Sequence, residues 1–504
     1  MNQRKYGAVL SYVSLVIGNI IGLLFIPFML RMLGQAEYGL YSLVGSFVAY
    51  LAVLDLGLGN AVVRYISKYR ALNDKENEEN FLAIILIFYS IIAVTIVIIG
   101  IILYNYLPQI FSDSLTLNEL ARAKIMFIIL IGNIAVTLLF NSFNAILTAY
   151  EKFVFQRTLG ISRHIIRTLV LILLLSIGYK AIAIVIVDTA LNVLFNVIIL
   201  LYSVLRIKIK IKIHQINYSF IKEIFSYSFF IFLAMIIDQV YWKIDNVILG
   251  IMKDTTIVAI YALGSQLTLY YLGFSTAISG VFMPKIVKLV EKGTTGENLT
   301  NEMIKIGRIQ AIILGLILSG FILFGQKFIV LWAGQEYEKS FWVAMIIMIP
   351  LTIPLFQNIG ISILQAKKKH RFRSIMLLIM AVINIGITII LVKLIGFVGA
   401  VIGTAFALIV GQIIIMNIYY HKVIGLDMVR FFKKLSKGIL PVILISLAVG
   451  FFIRMISGNS WLILGTQIIV FLIVYGLSAW FIGMNGYEKD LLKSILKLRY
   501  KRGE

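Results

Sequence analysis

The sequence predicts an all-α polytopic membrane protein of about fourteen transmembrane helices. Three observations carry this. Hydrophobic residues make up 61% of the 504 and charged residues 14%, and the mean hydropathy is +0.98, far from the soluble globular range. Apolar runs of about 20 residues, enough to cross roughly 30 Å of hydrocarbon as helix, follow one another with short polar breaks. Lysines and arginines collect in alternate breaks, as positive-inside topology requires.

Taken in order, the first-half spans are 7–30, 38–60, 81–103, 123–148, 159–178, 181–204 and 223–250. Those of the second half are 257–282, 308–331, 341–364, 374–394, 397–420, 438–456 and 461–483. The first run follows Arg4 and Lys5 as a signal peptide would, but at about 24 residues it exceeds an h-region and reads as a retained helix. With the N-terminus in the cytoplasm, roughly 36 of the 46 basic residues fall on that side. They include Arg206, Lys208, Lys210 and Lys212, the run Lys367, Lys368, Lys369, Arg371 and Arg373, and the tail 489–502. The stretch 104–119 on the other side has no Lys or Arg. An even number of spans returns the C-terminus to the cytoplasm. The alternating basic run 206–213 is compatible with a strand, but directly after a span it is expected to lie at the interface against anionic lipid.

An internal repeat is visible. At an offset of 220, Tyr41, Leu43, Tyr50 and Lys68 meet Tyr261, Leu263, Tyr270 and Lys288. At 217 to 218, Leu147, Ala149 and Lys152 meet Leu364, Ala366 and Lys369, and Gly178 and Ala181 meet Gly396 and Gly399. The offset equals six spans, so the copies start with the same orientation and form a parallel repeat, a construction shared by many secondary transporters. This gives two six-helix lobes, 1–218 and 219–422, and a further segment 423–504 with two extra helices and a basic tail.

The net charge of +23 does not indicate nucleic acid, because the basic residues are scattered among short loops and build no single groove. The absence of cysteine excludes disulfides and thiolate chemistry. No phosphate-binding G-x-x-x-x-G-K-[ST] loop is present, so ATP hydrolysis is not expected. His164, His214, His370 and His421 lie at expected cytoplasmic edges without metal-ligand spacing, and neither metal nor cofactor is predicted. The glycines of Gly57-Leu58-Gly59-Asn60 suit close packing or local unwinding of a span.

Charged residues inside spans are the informative ones, since each costs about 2.5 to 3.5 kcal/mol at the bilayer centre. Helix 7 carries Asp238, Lys243 and Asp245, helix 2 carries Asp55, and helix 6 carries Asp188, for which a structural pairing is expected. Arg31 and Arg64 are expected at the outer end of helix 1 and the inner end of helix 2. At about 100° per residue, Asp238 and Asp245 share a face, while Lys243 lies roughly 140° and 160° from them. Their partners must therefore come from other helices or from water. A structural ion pair is the alternative to a role in a cavity for all of them. Tyr241, Trp242, Tyr270 and Tyr271 are candidates for stacking on sugar rings, with packing and interfacial belts as the alternative.

The block 27–64, PFMLRMLGQAEYGLYSLVGSFVAYLAVLDLGLGNAVVR, carries a family resemblance through Leu33-Gly34, Glu37-Tyr38-Gly39 and Asp55-Leu-Gly57-Leu-Gly59. Residues 245–250, 366–369 and 396–403 agree less specifically. The chain resembles the Wzx-type polysaccharide flippases of the multidrug/oligosaccharidyl-lipid/polysaccharide exporter superfamily. That resemblance implies two six-helix lobes around a central cavity, and transfer of undecaprenyl-diphosphate-linked oligosaccharide from the cytoplasmic to the outer leaflet of a bacterial inner membrane. It implies a lipid-linked oligosaccharide and membrane lipids as partners, together with polysaccharide polymerase and chain-length machinery. Arg31 and Lys243 are the positions matched to a cationic cavity, with Asp55 and Asp245 as charge partners. Residues 7–30 contain neither the carboxylate of the superfamily's drug exporters nor the mid-helix arginine of lipid II flippases. The alternatives are a cation-coupled multidrug exporter and a membrane polymerase or ligase. An enzyme of the latter kind calls for a sizeable outer loop bearing Arg, His or carboxylates over its donor, and 104–119 has no Arg or His, so a non-enzymatic transporter is expected.

Overall fold

Hydrocarbon offers no partner to backbone N–H and C=O groups, so each apolar run must close its hydrogen bonds within itself as a helix. The computed structural model describes residues 3–215, 218–456 and 458–500, and among these there are helices and turns but no strand. The helices are α1 (Gln3–Leu33), α2 (Gln35–Ala52), α3 (Leu58–Ala71), α4 (Lys75–Ile110), α5 (Leu117–Ala149), α6 (Phe153–Ser176), α7 (Ala181–Tyr202), α8 (Tyr218–Met252) and α9 (Thr255–Glu291). They continue with α10 (Gly296–Ala333), α11 (Ser340–Phe356), α12 (Ile359–Ala366), α13 (Arg371–Ile395), α14 (Phe397–Ala407), α15 (Met416–Tyr419), α16 (Met428–Arg454), α17 (Trp461–Ser478) and α18 (Gly486–Tyr500). Wider i to i+5 turns join α14 to α15 and carry the chain on to Ile424.

Thirteen helical segments among the described residues are long and apolar enough to cross a membrane. The expected span 223–250 falls on α8, some of whose side chains, like those of Arg4 and Lys5, lie outside the described ones. Most helices outrun the predicted spans. Hydropathy marks only the stretch that needs lipid, whereas polar caps let the helix continue into water. Asp74 and Thr295 cap α4 and α10, and Thr116 with Glu119 forms a capping box on α5. The basic run 208–215 is exposed and irregular, not a strand. The tail expected at 489–502 is helical as far as Tyr500, and 501–502 lie outside the described residues.

Each helix sorts its side chains by neighbour. On α4, Ile91, Val94, Ile98 and Ile101 form an exposed apolar stripe, while Tyr89, Ala93 and Ile96 are buried. This is the pattern of a helix with lipid on one side and protein on the other.

The chain divides into two compact units, Met1–Ala262 and Leu263–Glu504, with the boundary inside α9. In the first, α5 packs on α2, α3, α4 and α7, α1 on α6, and α2 on α8. In the second, α10 packs on α11, α16 and α17, and α14 on α11 and α13. Also in the second unit, the buried Arg308 of α10 donates to both carboxylate oxygens of buried Glu488 on α18, at 2.6 and 3.1 Å, and to the carbonyls of Lys434, Lys437 and Gly483 at 2.6 to 2.8 Å. The carbonyls of Lys434 and Lys437 are free because α16 breaks at Lys437 and Gly438, where the backbone leaves helical geometry, and Gly483 ends the turn that follows α17.

The repeat offset recurs in the turns. After α3, Asn73 has φ +55° and the Asp74 amide donates to the Tyr69 carbonyl at 2.9 Å. After α9, 220 positions on, Gly293 has φ +70° and the Thr294 amide donates to Leu289 at 3.1 Å. Glu151 and Lys368 have φ +56° and +57°, and Lys152 and Lys369 donate back to Leu147 and Leu364 at 2.8 and 2.9 Å.

Candidate functional site

The predicted second span is two helices. α2 ends at Ala52, a single tight turn runs Val53–Asp55, and Leu56 and Gly57 both adopt left-handed backbone, with φ +54° and +70°, before α3 starts at Leu58. A side chain at Gly57 would drive its Cβ into Ile231 of α8, so the position needs glycine for both conformation and space. The break places the half-buried Asp55 at the start of α3, where backbone N–H groups and the helix dipole favour negative charge. Asn141 of α5 donates to its carboxylate at 2.8 Å, and the buried Tyr89 of α4 lies beside it. Because α3 runs on to Ala71, Arg64 is not at a helix end as expected but mid-helix and exposed, its guanidinium 5.5 Å from the centre of the Tyr65 ring.

Asn141 belongs to a larger set of amides lining α5 and α7. Asn192 donates to Asn133 at 2.6 Å and also to Thr137, Asn196 donates to Asn192 at 3.2 Å, and Asn144 donates to Asn196 at 3.2 Å. Thr148 bonds on to Gln156 of α6 at 3.3 Å. Sequence reasoning centred on charges missed this ladder. Its signal is the recurrence of Asn at i and i+4 (Asn192 and Asn196) and of polar residues four to eight apart in 133–148, one helical face kept polar inside an apolar span. Arg167 of α6 was missed too. Both its NE and NH2 groups donate to Asp188 of α7, the second at 2.9 Å, and Tyr41 lies against the pair. Asp188 thus stands in the structural pairing expected for it. Glu37 is buried against Arg122 at 3.0 Å, and a Cβ at Gly39 would strike the Thr255 backbone, so this element of the 27–64 block sets helix packing.

On α8 the three charged residues have different surroundings. Asp245 is 2% exposed and accepts a hydrogen bond from Tyr261 of α9, a partner on another helix as the wheel required. Asn246 beside it donates to Ser46 of α2 at 3.0 Å. Asp238 is exposed. Lys243 is half-buried and has no hydrogen bond or ion pair among the described residues. It sits nine residues before Met252, about 14 Å from the helix end at 1.5 Å per residue and inside the predicted span 223–250. Arg31 is exposed in the last turn of α1.

Of the aromatic candidates in the first unit, Tyr241 is buried and Trp242 half-buried. In the second unit Tyr270 is half-buried, while Tyr271 is 1% exposed with its hydroxyl 2.8 Å from that of Thr352. In this conformation neither Tyr241 nor Tyr271 presents an open ring face. His164 lies eleven residues into α6, not at an edge, because that helix begins at Phe153. No convergent group of three His, Asp or Glu side chains suited to a metal occurs among the described residues.

A broken helix in an apolar bundle, a ladder of amides between α5 and α7, and a span lysine with no hydrogen bond or ion pair among the described residues are features of a membrane protein that handles a polar load. The sequence profile of the family described as "Polysaccharide biosynthesis protein" matches residues 6–290, more than half of the chain. The chain belongs to this family. A Shigella flexneri protein provisionally named an O-antigen transporter is 22% identical to this chain over 400 residues, covering 78% of the chain and 92% of the relative. The fold is that of a lipid II flippase, MurJ, in an inward closed conformation, with a TM-score of 0.74 at 18% identity over 96% of this chain and 99% of that one. A multidrug resistance MATE family transporter of the MOP superfamily, inward-facing, is similar at a TM-score of 0.58 and 16% identity, over 78% and 92% of the two chains.

Proposed function

We propose that this polysaccharide biosynthesis protein is a flippase that carries undecaprenyl-diphosphate-linked oligosaccharide from the cytoplasmic to the outer leaflet of a bacterial inner membrane, without covalent chemistry. Both termini are then cytoplasmic. The lobes 1–218 and 219–422 alternate access by rocking, 423–504 adds two helices, and a polysaccharide polymerase with its chain-length machinery receives the product. The glycan and diphosphate cannot enter hydrocarbon, whereas the polyprenyl tail need not leave it.

Lys243 is the observation that carries this reading. A cation inside a span costs up to about 2.5 to 3.5 kcal/mol even on the lenient insertion scale. With no counter-ion among the described residues, that cost is offset when an anionic ligand arrives, and a diphosphate supplies the charge. Family membership and the relative's name support the same class of load. Asp55, Asp238, Asp245, Arg31 and Arg64 remain candidates for guiding the headgroup, and Tyr241, Trp242, Tyr270 and Tyr271 for sugar contacts in another conformation.

The test is the fate of the lipid-linked oligosaccharide in a deletion strain, read as cytoplasmic and outer-leaflet pools. Complete units accumulate on the cytoplasmic face, the wild-type gene relieves the block, Lys243→Arg relieves it in part, and Lys243→Ala does not despite normal protein level. Full polymer output from Lys243→Ala at normal level rejects the cationic site. Normal outer-leaflet delivery in the deletion strain rejects the flippase and moves cation-coupled drug export to the front.

A further inference from the structure

A cavity of about 380 Å³ opens in the second unit where the C-terminal ends of α10 and α16 meet the start of α17. Apolar residues of α10, Leu323, Phe324, Val330 and Leu331, form one wall, and the polar side chains are those of Gln326 and Lys327 on α10, Gln335 and Glu338 just beyond it, Arg454 at the end of α16, and Asn459. Nothing in the proposed transport mechanism uses it.

Its charges are arranged unequally. Glu338 is satisfied by neutral donors, the amides of Gln326 and Gln335, each at 2.6 Å. Lys327 spends one donor on Gln467 at 3.0 Å. Gln467 is itself buried and donates to the carbonyls of Ile453 and Ile456 at 3.0 and 3.1 Å, which fixes the ammonium in place with donors to spare. Arg454, exposed in the last turn of α16, has no hydrogen bond or ion pair among the described residues. Two cations are therefore available to an anion, while the one carboxylate lining the cavity among the described residues already accepts from two amides. A ring cluster stands beside it: Phe328 stacks on Trp332 at 5.4 Å and meets the edge of Trp461 at 6.2 Å. Trp461 is half exposed, and aromatics so placed mark the level where hydrocarbon gives way to headgroups.

We propose that this cavity binds the polar head of an anionic lipid, a phosphate ester bearing hydroxyl groups. Lys327 and Arg454 take the phosphate oxygens, and Glu338 with Gln335 and Asn459 takes the hydroxyls of a glycerol or sugar. The acyl or prenyl chain runs along Leu323 and Val330. The two amides leave the Glu338 carboxylate further lone pairs, which the hydroxyls of an ester can fill and which would only repel a bare inorganic anion, so the hydroxylated ester fits better. The volume suits a headgroup and not a long glycan.

The experiment uses the full chain in phosphatidylcholine nanodiscs with a small fraction of phosphatidylglycerol, and native mass spectrometry counts the lipids retained. Wild type retains phosphatidylglycerol over phosphatidylcholine. Arg454→Gln, which removes no protein contact, lowers that retention about tenfold with an unchanged thermal midpoint, and Lys327→Gln with Arg454→Gln abolishes the preference. Equal retention by wild type and the double variant overturns the proposal, as does an absence of preference in wild type. Adding a prenyl-phosphate sugar separates the sources: displacement of phosphatidylglycerol assigns the cavity to a sugar-phosphate lipid, and undiminished retention assigns it to bulk phospholipid.

Discussion

Asp55 and Lys243 are both charged side chains inside apolar spans, yet among the described residues one is bonded and the other is not. Asp55 accepts from Asn141 at the start of a helix, so Asp55→Asn keeps the shape and part of the bonding, while Asp55→Leu strands the Asn141 amide and costs about 1 to 3 kcal/mol. Thermal unfolding in detergent ranks the two, and a Leu variant as stable as the Asn variant would refute the assignment. Outside the membrane, Asn77 donates to Asp74 from its side chain and its backbone and holds that carboxyl below the usual range. A depressed acid contributes stability that is complete above its unfolded value, about 3.9, and is lost as pH falls through the lower folded value. The cap of α4 therefore survives mild acid, and Asp74→Ala is expected to raise amide exchange at Asn77, whose N–H the Asp74 side chain accepts, at neutral pH. The charges were legible in the sequence because each is expensive in a span. The amide ladder from Asn133 to Asn196 was not, since a neutral side chain inside an apolar run is cheap enough to pass as filler until its partners are known.

At the level of elements, the break between α2 and α3 is the most consequential departure from the predicted spans. Hydropathy read 38–60 as one helix, and the Asp-Leu-Gly-Leu-Gly pattern indicated only that unwinding or close packing was allowed. Backbone angles decide such matters, and hydropathy does not contain them. At the corresponding positions 220 residues on, α9 runs unbroken from Thr255 to Glu291, so only the first copy has the discontinuity. Gly57→Ala must adopt φ +70° and displace Ile231, for an expected loss of about 1 to 3 kcal/mol. Leu56→Gly relieves a left-handed leucine and raises the thermal midpoint. Destabilisation by Leu56→Gly would show that the turn is held by the leucine side chain and not merely tolerated by it.

For the whole molecule, the class of fold was legible from composition and span counting, and the repeat from a few matched residues whose worth lay in their common offset. The turns at Asn73 and Gly293, and at Glu151 and Lys368, give that offset a backbone counterpart. The extents of the helices were less legible, because caps and amphipathic ends such as 428–437 obey rules other than hydropathy. If the load carries two negative charges, an inside-negative potential favours its outward movement by about 2.3 kcal/mol per charge per 100 mV, roughly 4.6 in all. Transport in proteoliposomes is then expected to accelerate when the lumen matching the outer face is made positive, and a rate indifferent to potential would contradict transport driven by charge.

The Arg308 latch has a consequence for the order in which the chain is made. Its guanidinium leaves the ribosome 180 residues before Glu488 does, and its carbonyl partners at Lys434, Lys437 and Gly483 follow it by 126, 129 and 175 residues, so the arginine waits for every partner and longest for its carboxylate. Of these partners, the one that neutralises Arg308 is made last. A nonsense codon just before 488 would yield a product with nearly every apolar helix in place and still defective, open at Arg308 by about 3 to 5 kcal/mol. Such a product is expected to be cleared by membrane quality control, and Glu488→Gln to mimic it in full-length form with a lowered thermal midpoint.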